Sequence, residues 1–221
     1  TLGSVFLAAI LLKMGTYGLM RISLPFFPEA AHGFAHYLIA LGLIGVVYGA
    51  FCAFAQDDFK RLVAYSSVSH MGYVVVGLFT FEQVAVSGAL YQMINHGISS
   101  AGLFMIVGFL YERLHTRNLN DFGSLAKLAP MMAVAFFILT LSSIALPGTN
   151  GFVGEFAILL GTYQVSPISA TICGLGVIFG AAYGLKAYQL VMLGTAKREE
   201  NHHLTDLNRK EIISMVGLAV L

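Results

Sequence analysis

The sequence predicts an all-α polytopic membrane protein with one broken transmembrane helix, and three observations carry that prediction. Hydrophobic residues make up 57% of the chain and charged residues only 10%, with a mean hydropathy of +0.80; a soluble domain carries about 25% charged residues. Apolar stretches long enough to cross a bilayer, about 20 residues each, recur along the whole chain. The basic residues gather in alternate connectors between those stretches.

Taken in order, the apolar stretches fall at about 2–24, 35–56, 62–80, 84–111, 130–164 and 168–194, and a seventh opens near Ile212 and runs to 221. The connectors carry most of the charge: "PFFPEAAHG", "QDDFKR", "FEQ", "ERLHTRNLNDFGSLAK" and "TAKREENHHLTDLNRKE". The whole of 1–221 is expected to form a single transmembrane domain. Because it opens without methionine and stops inside an apolar run, it is expected to be a fragment.

The connectors after the second, fourth and sixth spans hold Lys60, Arg61, Arg113, Arg117, Lys127, Lys197, Arg198, Arg209 and Lys210. Those after the first, third and fifth hold Arg21 alone. By the positive-inside rule the first set faces the cytoplasm or the mitochondrial matrix, and the chain enters the membrane from the inside at Thr1. A net charge of +1 offers no basic face for nucleic acid. Cys52 and Cys173 are far apart in apolar runs, which suggests neither a metal site nor a disulfide framework.

The fifth span is too long. Its 35 residues would reach about 52 Å as one helix, against a hydrocarbon core of about 30 Å. Inside it lies "LPGTNGFVGEF", where Pro147 removes a backbone donor and Gly148 and Gly151 permit unusual dihedrals. A helix broken at depth is expected, a feature of transporters that is tolerated only within protein or against a wet cavity.

Few ionisable groups lie within the spans: Lys13, His70, His96, Glu155 and Lys186. Lys13, His70 and His96 all sit near the centres of their spans, so they share a depth. A charge at mid-helix costs about 2.5–3.5 kcal/mol on insertion scales. Polar neighbours follow helical spacing: Ser66, Ser69, His70 and Tyr73 on one span, and Gln92, His96, Ser99 and Ser100 with Asn95 on the next. Lys13 has Thr16 and Tyr17 one turn on. Hydroxyls and amides at that spacing can hold water, and histidine can accept and donate a proton. The pattern predicts a wetted proton wire; a structural Lys–Glu pair with two satisfied histidines would not explain these neighbours. Axial ligation of a haem b by His70 and His96 is a separate possibility, less suited to hydroxyl-rich surroundings. Lys186 lies near the inner end of its span and can snorkel to that face.

The segments "AFAQDDFKRLVAYSSVSHMGYV", "YQMINHGISSAGLF" and "LPGTNGFVGEF" closely resemble the proton-translocating, antiporter-like membrane subunits of respiratory complex I, most of all the M-type branch, subunit 4 in mitochondria. The resemblance implies the antiporter-like subunit fold, with the second inverted five-helix repeat plus flanking helices, the eighth through the start of the fourteenth. It implies proton translocation at Lys13, His70, His96 and Glu155 within an NADH:quinone oxidoreductase; the helical spacing adds Ser66, Ser69, Tyr73, Gln92 and Ser99 as supporting polar groups. Related antiporter-like subunits usually carry lysine where this chain has Glu155, and Lys186 departs from the family pattern. No cofactor is expected in this chain; NADH, FMN, Fe–S clusters and quinone would belong to partner subunits. The partners implied are other membrane and peripheral subunits of complex I, the lipid bilayer and protons, with a bacterial inner membrane as the location. A multisubunit cation/proton antiporter or a membrane-bound hydrogenase would use the same module.

Overall fold

The computed structural model describes residues 2–199, 201 and 204–219. Thr1, where the chain is expected to enter the membrane, and Val220 and Leu221 of the seventh expected span lie outside the described residues. Among the described residues there is no β-strand. The chain runs through α1 (Gly3–Phe26), α2 (Pro28–Phe54), α3 (Phe59–Phe79), α4 (Gln83–Leu114), α5 (Pro130–Ser143), α6 (Asn150–Val165), α7 (Pro167–Met192) and α8 (Arg209–Ala219). By length and composition α1 to α4 and α7 can each cross a bilayer.

Helix starts follow local chemistry more than hydropathy. Helix α2 begins at Pro28, well before its apolar run, because proline at the first position gives up an amide that would have no helical partner. Asp58 caps α3 by accepting the Arg61 amide at 2.9 Å. Ser166 accepts the Ser169 amide at 3.2 Å and, with Pro167 behind it, starts α7. Asn208 and Glu211 exchange side-chain and backbone bonds at 2.8 and 2.9 Å, a capping box at the head of α8.

Helix α1 is not uniformly α-helical. Its turns at Leu7–Leu11 and Leu19–Ser23 are π-helical, and Lys13 sits in the α-helical piece between them. The break between α5 and α6 occupies residues 144–149, where Ala145 (φ 53°) and Gly148 (φ 97°) reverse the handedness of the backbone. Glycine takes such a φ without steric cost, whereas alanine bears a Cβ clash.

Helices α3 and α4 form the buried centre. Helix α2 packs on α3, α6 on α4, and α7 on both α2 and α6, while α1 and α5 lie along α4. At one end the connectors after α2, α4 and α7 interlock. Asp58 pairs with Asn118 in a β-bridge, Phe59 N–H donates to the Arg117 carbonyl at 2.8 Å, and Ser124 N–H donates to the Leu193 carbonyl at 2.9 Å. Asp206 reaches the head of α5 and accepts the Met131 and Met132 amides at 2.8 and 3.0 Å.

Candidate functional site: a buried line of ionisable side chains

His70 stands at the middle of α3, and α6 turns Glu155 towards it just after the break. His70 Nδ1 lies 2.7 Å from Glu155 Oε1, and Gln92 of α4 donates its amide to the same oxygen at 2.8 Å. Gly154 makes this possible: a Cβ there would fall 2.9 Å from the Gln92 backbone nitrogen, so α4 and α6 could not approach as closely. Beside a carboxylate oxygen Nδ1 acts as the donor, which leaves Nε2 of the neutral ring as an acceptor.

One turn beyond Gln92, His96 faces His70 with ring centroids 5.1 Å apart. Lys13 is close enough to His96 to act on it electrostatically. The Lys13 ammonium is buried and donates to the carbonyl of Ala8, which belongs to the first π turn. The carboxylate, two imidazoles and ammonium come from four helices, and all four residues are buried. The buried His96 Nδ1 and Gln92 Oε1 have no hydrogen-bond partner among the described residues. Buried polar atoms of that kind are normally satisfied, by ordered water if not by protein.

The expected supporting residues divide. Gln92 joins the carboxylate directly, and the Ser99 hydroxyl reaches only the His96 carbonyl, at 3.5 Å. Ser66 donates to the Val63 carbonyl at 2.9 Å. Ser69 and Tyr73 turn elsewhere, to the Val46 carbonyl of α2 at 2.8 Å and the Cys173 carbonyl of α7 at 2.6 Å. A span surrounded by helices presents polar groups on more than one side, so a shared stripe does not imply a shared partner. Thr16 bonds the Lys13 carbonyl at 3.1 Å, whereas Tyr17 is exposed. Lys186 lies outside the cluster: its ammonium donates to the Phe54 carbonyl at the end of α2 at 3.1 Å and rests over the Phe54 ring.

Three groups at the site were not singled out in the sequence. The Tyr183 hydroxyl of α7 lies 3.3 Å from His70 Nε2, and the Ser143 hydroxyl lies 3.5 Å from the same atom. Asn150 opens α6, accepting the Ser142 hydroxyl at 2.5 Å on its side chain and the Asn95 amide at 2.7 Å on its carbonyl. Tyr183 stands in a glycine- and alanine-rich run, "GAAYGLKAY", where a tyrosine has the look of packing. The useful signal would have been its place near mid-span.

Among the described residues, an all-helical bundle thus sets a helix break beside a buried carboxylate–histidine pair. The chain belongs to the family described as NADH:quinone oxidoreductase/Mrp antiporter, TM, whose model matches residues 1–180. It is 51% identical over 221 residues to NADH-quinone oxidoreductase subunit M of Rickettsia prowazekii, covering 100% of this chain and 45% of that protein. The chain therefore spans about half the length of the relative it matches. Among solved structures, a chain of respiratory complex I from Thermus thermophilus with bound NADH is 36% identical, with a TM-score of 0.88 over 94% of this chain and 44% of the other. A chain of an archaeal membrane-bound sulfane sulfur reductase is 25% identical, with a TM-score of 0.92 over 98% of this chain and 38% of the other.

Proposed function

We propose that the chain is part of a proton-translocating membrane-arm subunit of an NADH:quinone oxidoreductase, and that Lys13, His96, His70 and Glu155 carry the protons. The observation that carries this reading is the direct His70–Glu155 contact at 2.7 Å, continued through the His70–His96 ring contact towards buried Lys13. Two unit charges 10 Å apart at an effective dielectric near 20 interact by about 1.7 kcal/mol. A protonation change at one member therefore biases its charged neighbour electrostatically. Gln92 holds the carboxylate, and ordered water on His96 Nδ1 and Gln92 Oε1 completes the line.

Electron transfer belongs to partner subunits, which would hold NADH, FMN, Fe–S clusters and quinone, and the energy reaches this chain through neighbouring membrane subunits. The 51% identity to a subunit M supports this reading over a cation/proton antiporter or hydrogenase module. The bacterial relative supports placement in a bacterial inner membrane. The test is NADH-driven proton uptake by inverted vesicles carrying Lys13→Met or His70→Ala in the full-length subunit, normalised to assembled enzyme. Uptake should collapse in both. Uptake at the parental rate, or failure of the subunit to copurify with an NADH-oxidising arm, would overturn the reading.

A further inference from the structure

The two ring nitrogens of His70 face different chemistry. Nδ1 meets Glu155 at 2.7 Å, while Nε2 meets the hydroxyls of Tyr183 at 3.3 Å and Ser143 at 3.5 Å. Both residues border a small cavity lined mostly by apolar side chains, among them Phe59, Leu62, Val63 and Phe136. The Ser66 and Thr140 hydroxyls beside it donate to the Val63 and Phe136 carbonyls at 2.9 and 2.8 Å, which leaves the Tyr183 and Ser143 hydroxyls as the ones within reach of His70 Nε2.

We infer that Tyr183 and Ser143 are positioning residues for His70, and that their hydroxyls fix its tautomer from the Nε2 side. The inference rests on the proton-carrying role proposed for His70 and Glu155. A hydroxyl donates to the neutral ring at Nε2 and accepts from Nε2–H of the imidazolium, which phenylalanine or alanine at the same place cannot do. Donation to Nε2 keeps the neutral proton on Nδ1, aimed at the carboxylate. When hydronium gives a proton to Nε2 and is left as water, the ring becomes imidazolium. The Nδ1 proton then passes to Glu155, leaving a neutral carboxylic acid and a neutral ring of the opposite tautomer. The proton taken up and the proton given away are different ones, and the starting arrangement returns when Nε2 gives up its proton and Nδ1 is protonated again.

The experiment compares Tyr183→Phe, Ser143→Ala, their combination and Glu155→Gln in the full-length subunit within its complex. Proton uptake by inverted vesicles is measured in H2O and D2O and normalised to assembled enzyme. Tyr183→Phe removes only a hydroxyl and should slow uptake by roughly tenfold, short of the hundredfold or more that loss of a proton-transfer group itself costs. The double variant should be slower still, and the H2O/D2O rate ratio should rise in both, because transfer at His70 becomes limiting. Ser143→Thr, which keeps the hydroxyl, should retain uptake. Parental rate and isotope ratio in the double variant, with Glu155→Gln inactive, would overturn this inference and leave the proton line standing. A slower rate with an unchanged ratio would reduce Tyr183 to packing and overturn it equally. If Glu155→Gln itself pumps normally, the underlying reading and this inference fall together.

Discussion

Asn95 holds Asn150: its side-chain amide donates to the Asn150 carbonyl at 2.7 Å, tying the middle of α4 to the first residue after the helix break. As the first residue of α6, Asn150 has a carbonyl that already faces a helical amide, so the Asn95 amide adds a second bond that fixes α4 against the head of α6. Asn95→Ala removes the donor. The expected loss is about 1 kcal/mol, the usual size of an interhelical hydrogen bond in a membrane. It should appear as a lower thermal-inactivation midpoint of the assembled complex, with Asn95→Asp no better because a carboxylate cannot donate. An unchanged midpoint in both would mean that the break is held elsewhere.

Glu155 and Lys186 are both ionisable and intramembrane, yet their surroundings separate them. Glu155 is held by His70 and Gln92, whereas Lys186 sits on the Phe54 carbonyl at a helix C-terminus, where a cation contributes about 0.3–1 kcal/mol. Glu155→Gln keeps size and hydrogen bonding but removes the titrating proton, and should cut NADH-driven proton uptake by about a hundredfold. Lys186→Leu should keep most of it. The opposite ranking would move the proton site into α7.

Cysteines placed singly at Glu82 and at Asn120, with Cys52 and Cys173 replaced by alanine, should react with a membrane-impermeant thiol reagent from opposite sides. Asn120 belongs to the interlocked connectors, and Glu82 precedes α4 at its other end. Both cysteines reacting from one side would invert the charge-based orientation.

A haem between His70 and His96 does not fit this geometry. Ring centroids 5.1 Å apart are in direct contact range, with no layer for a porphyrin, and His70 Nδ1 is already engaged by Glu155. The purified complex should show no bis-histidine Soret band that disappears with His70→Ala. Such a band, lost in that variant, would refute the arrangement described for both rings.

Outside the spans, Glu211 has a pH signature. Burial pushes its carboxyl up, but the Arg113 guanidinium at 2.7 Å and the Asn208 amide outweigh that and leave it below its ordinary value of 4.5. A carboxylate depressed in the folded state contributes stability that is complete above the unfolded value and is lost as pH falls through the folded one. Amide exchange in α8, corrected for its intrinsic pH dependence, should therefore accelerate only in acid below that range. In Glu211→Gln it should already be faster at neutral pH and show no such acid step.

Hydropathy and charge made much of this legible, because lipid and water sort residues more strictly than a soluble core does. The pattern around Pro147 pointed to interrupted helix, and the structure has no helix from 144 to 149. The ion-bearing residues stood out because an unpaired charge in hydrocarbon is costly. What stayed hidden was direction. A helical stripe groups Ser66, Ser69, His70 and Tyr73, yet Ser69 and Tyr73 serve the neighbouring helices α2 and α7. Tyr183 carried no warning because its neighbours along α7 are mostly small or apolar, and its partner arrives from 113 positions away. The π turns of α1 were equally silent, since their hydrogen-bond register leaves no mark on residue type.

Those π turns give α1 an unusual mechanical freedom. Each stores a surplus residue, and together they flank the short α-helical piece that carries Lys13. The piece is thus a screw with slack above and below. Were one surplus to migrate along the helix past Lys13, the residues it passed would turn by about 100° about the axis, the angle per residue of an α-helix. The ammonium would then let go of the Ala8 carbonyl and face a different wall, while both ends of the span stayed still.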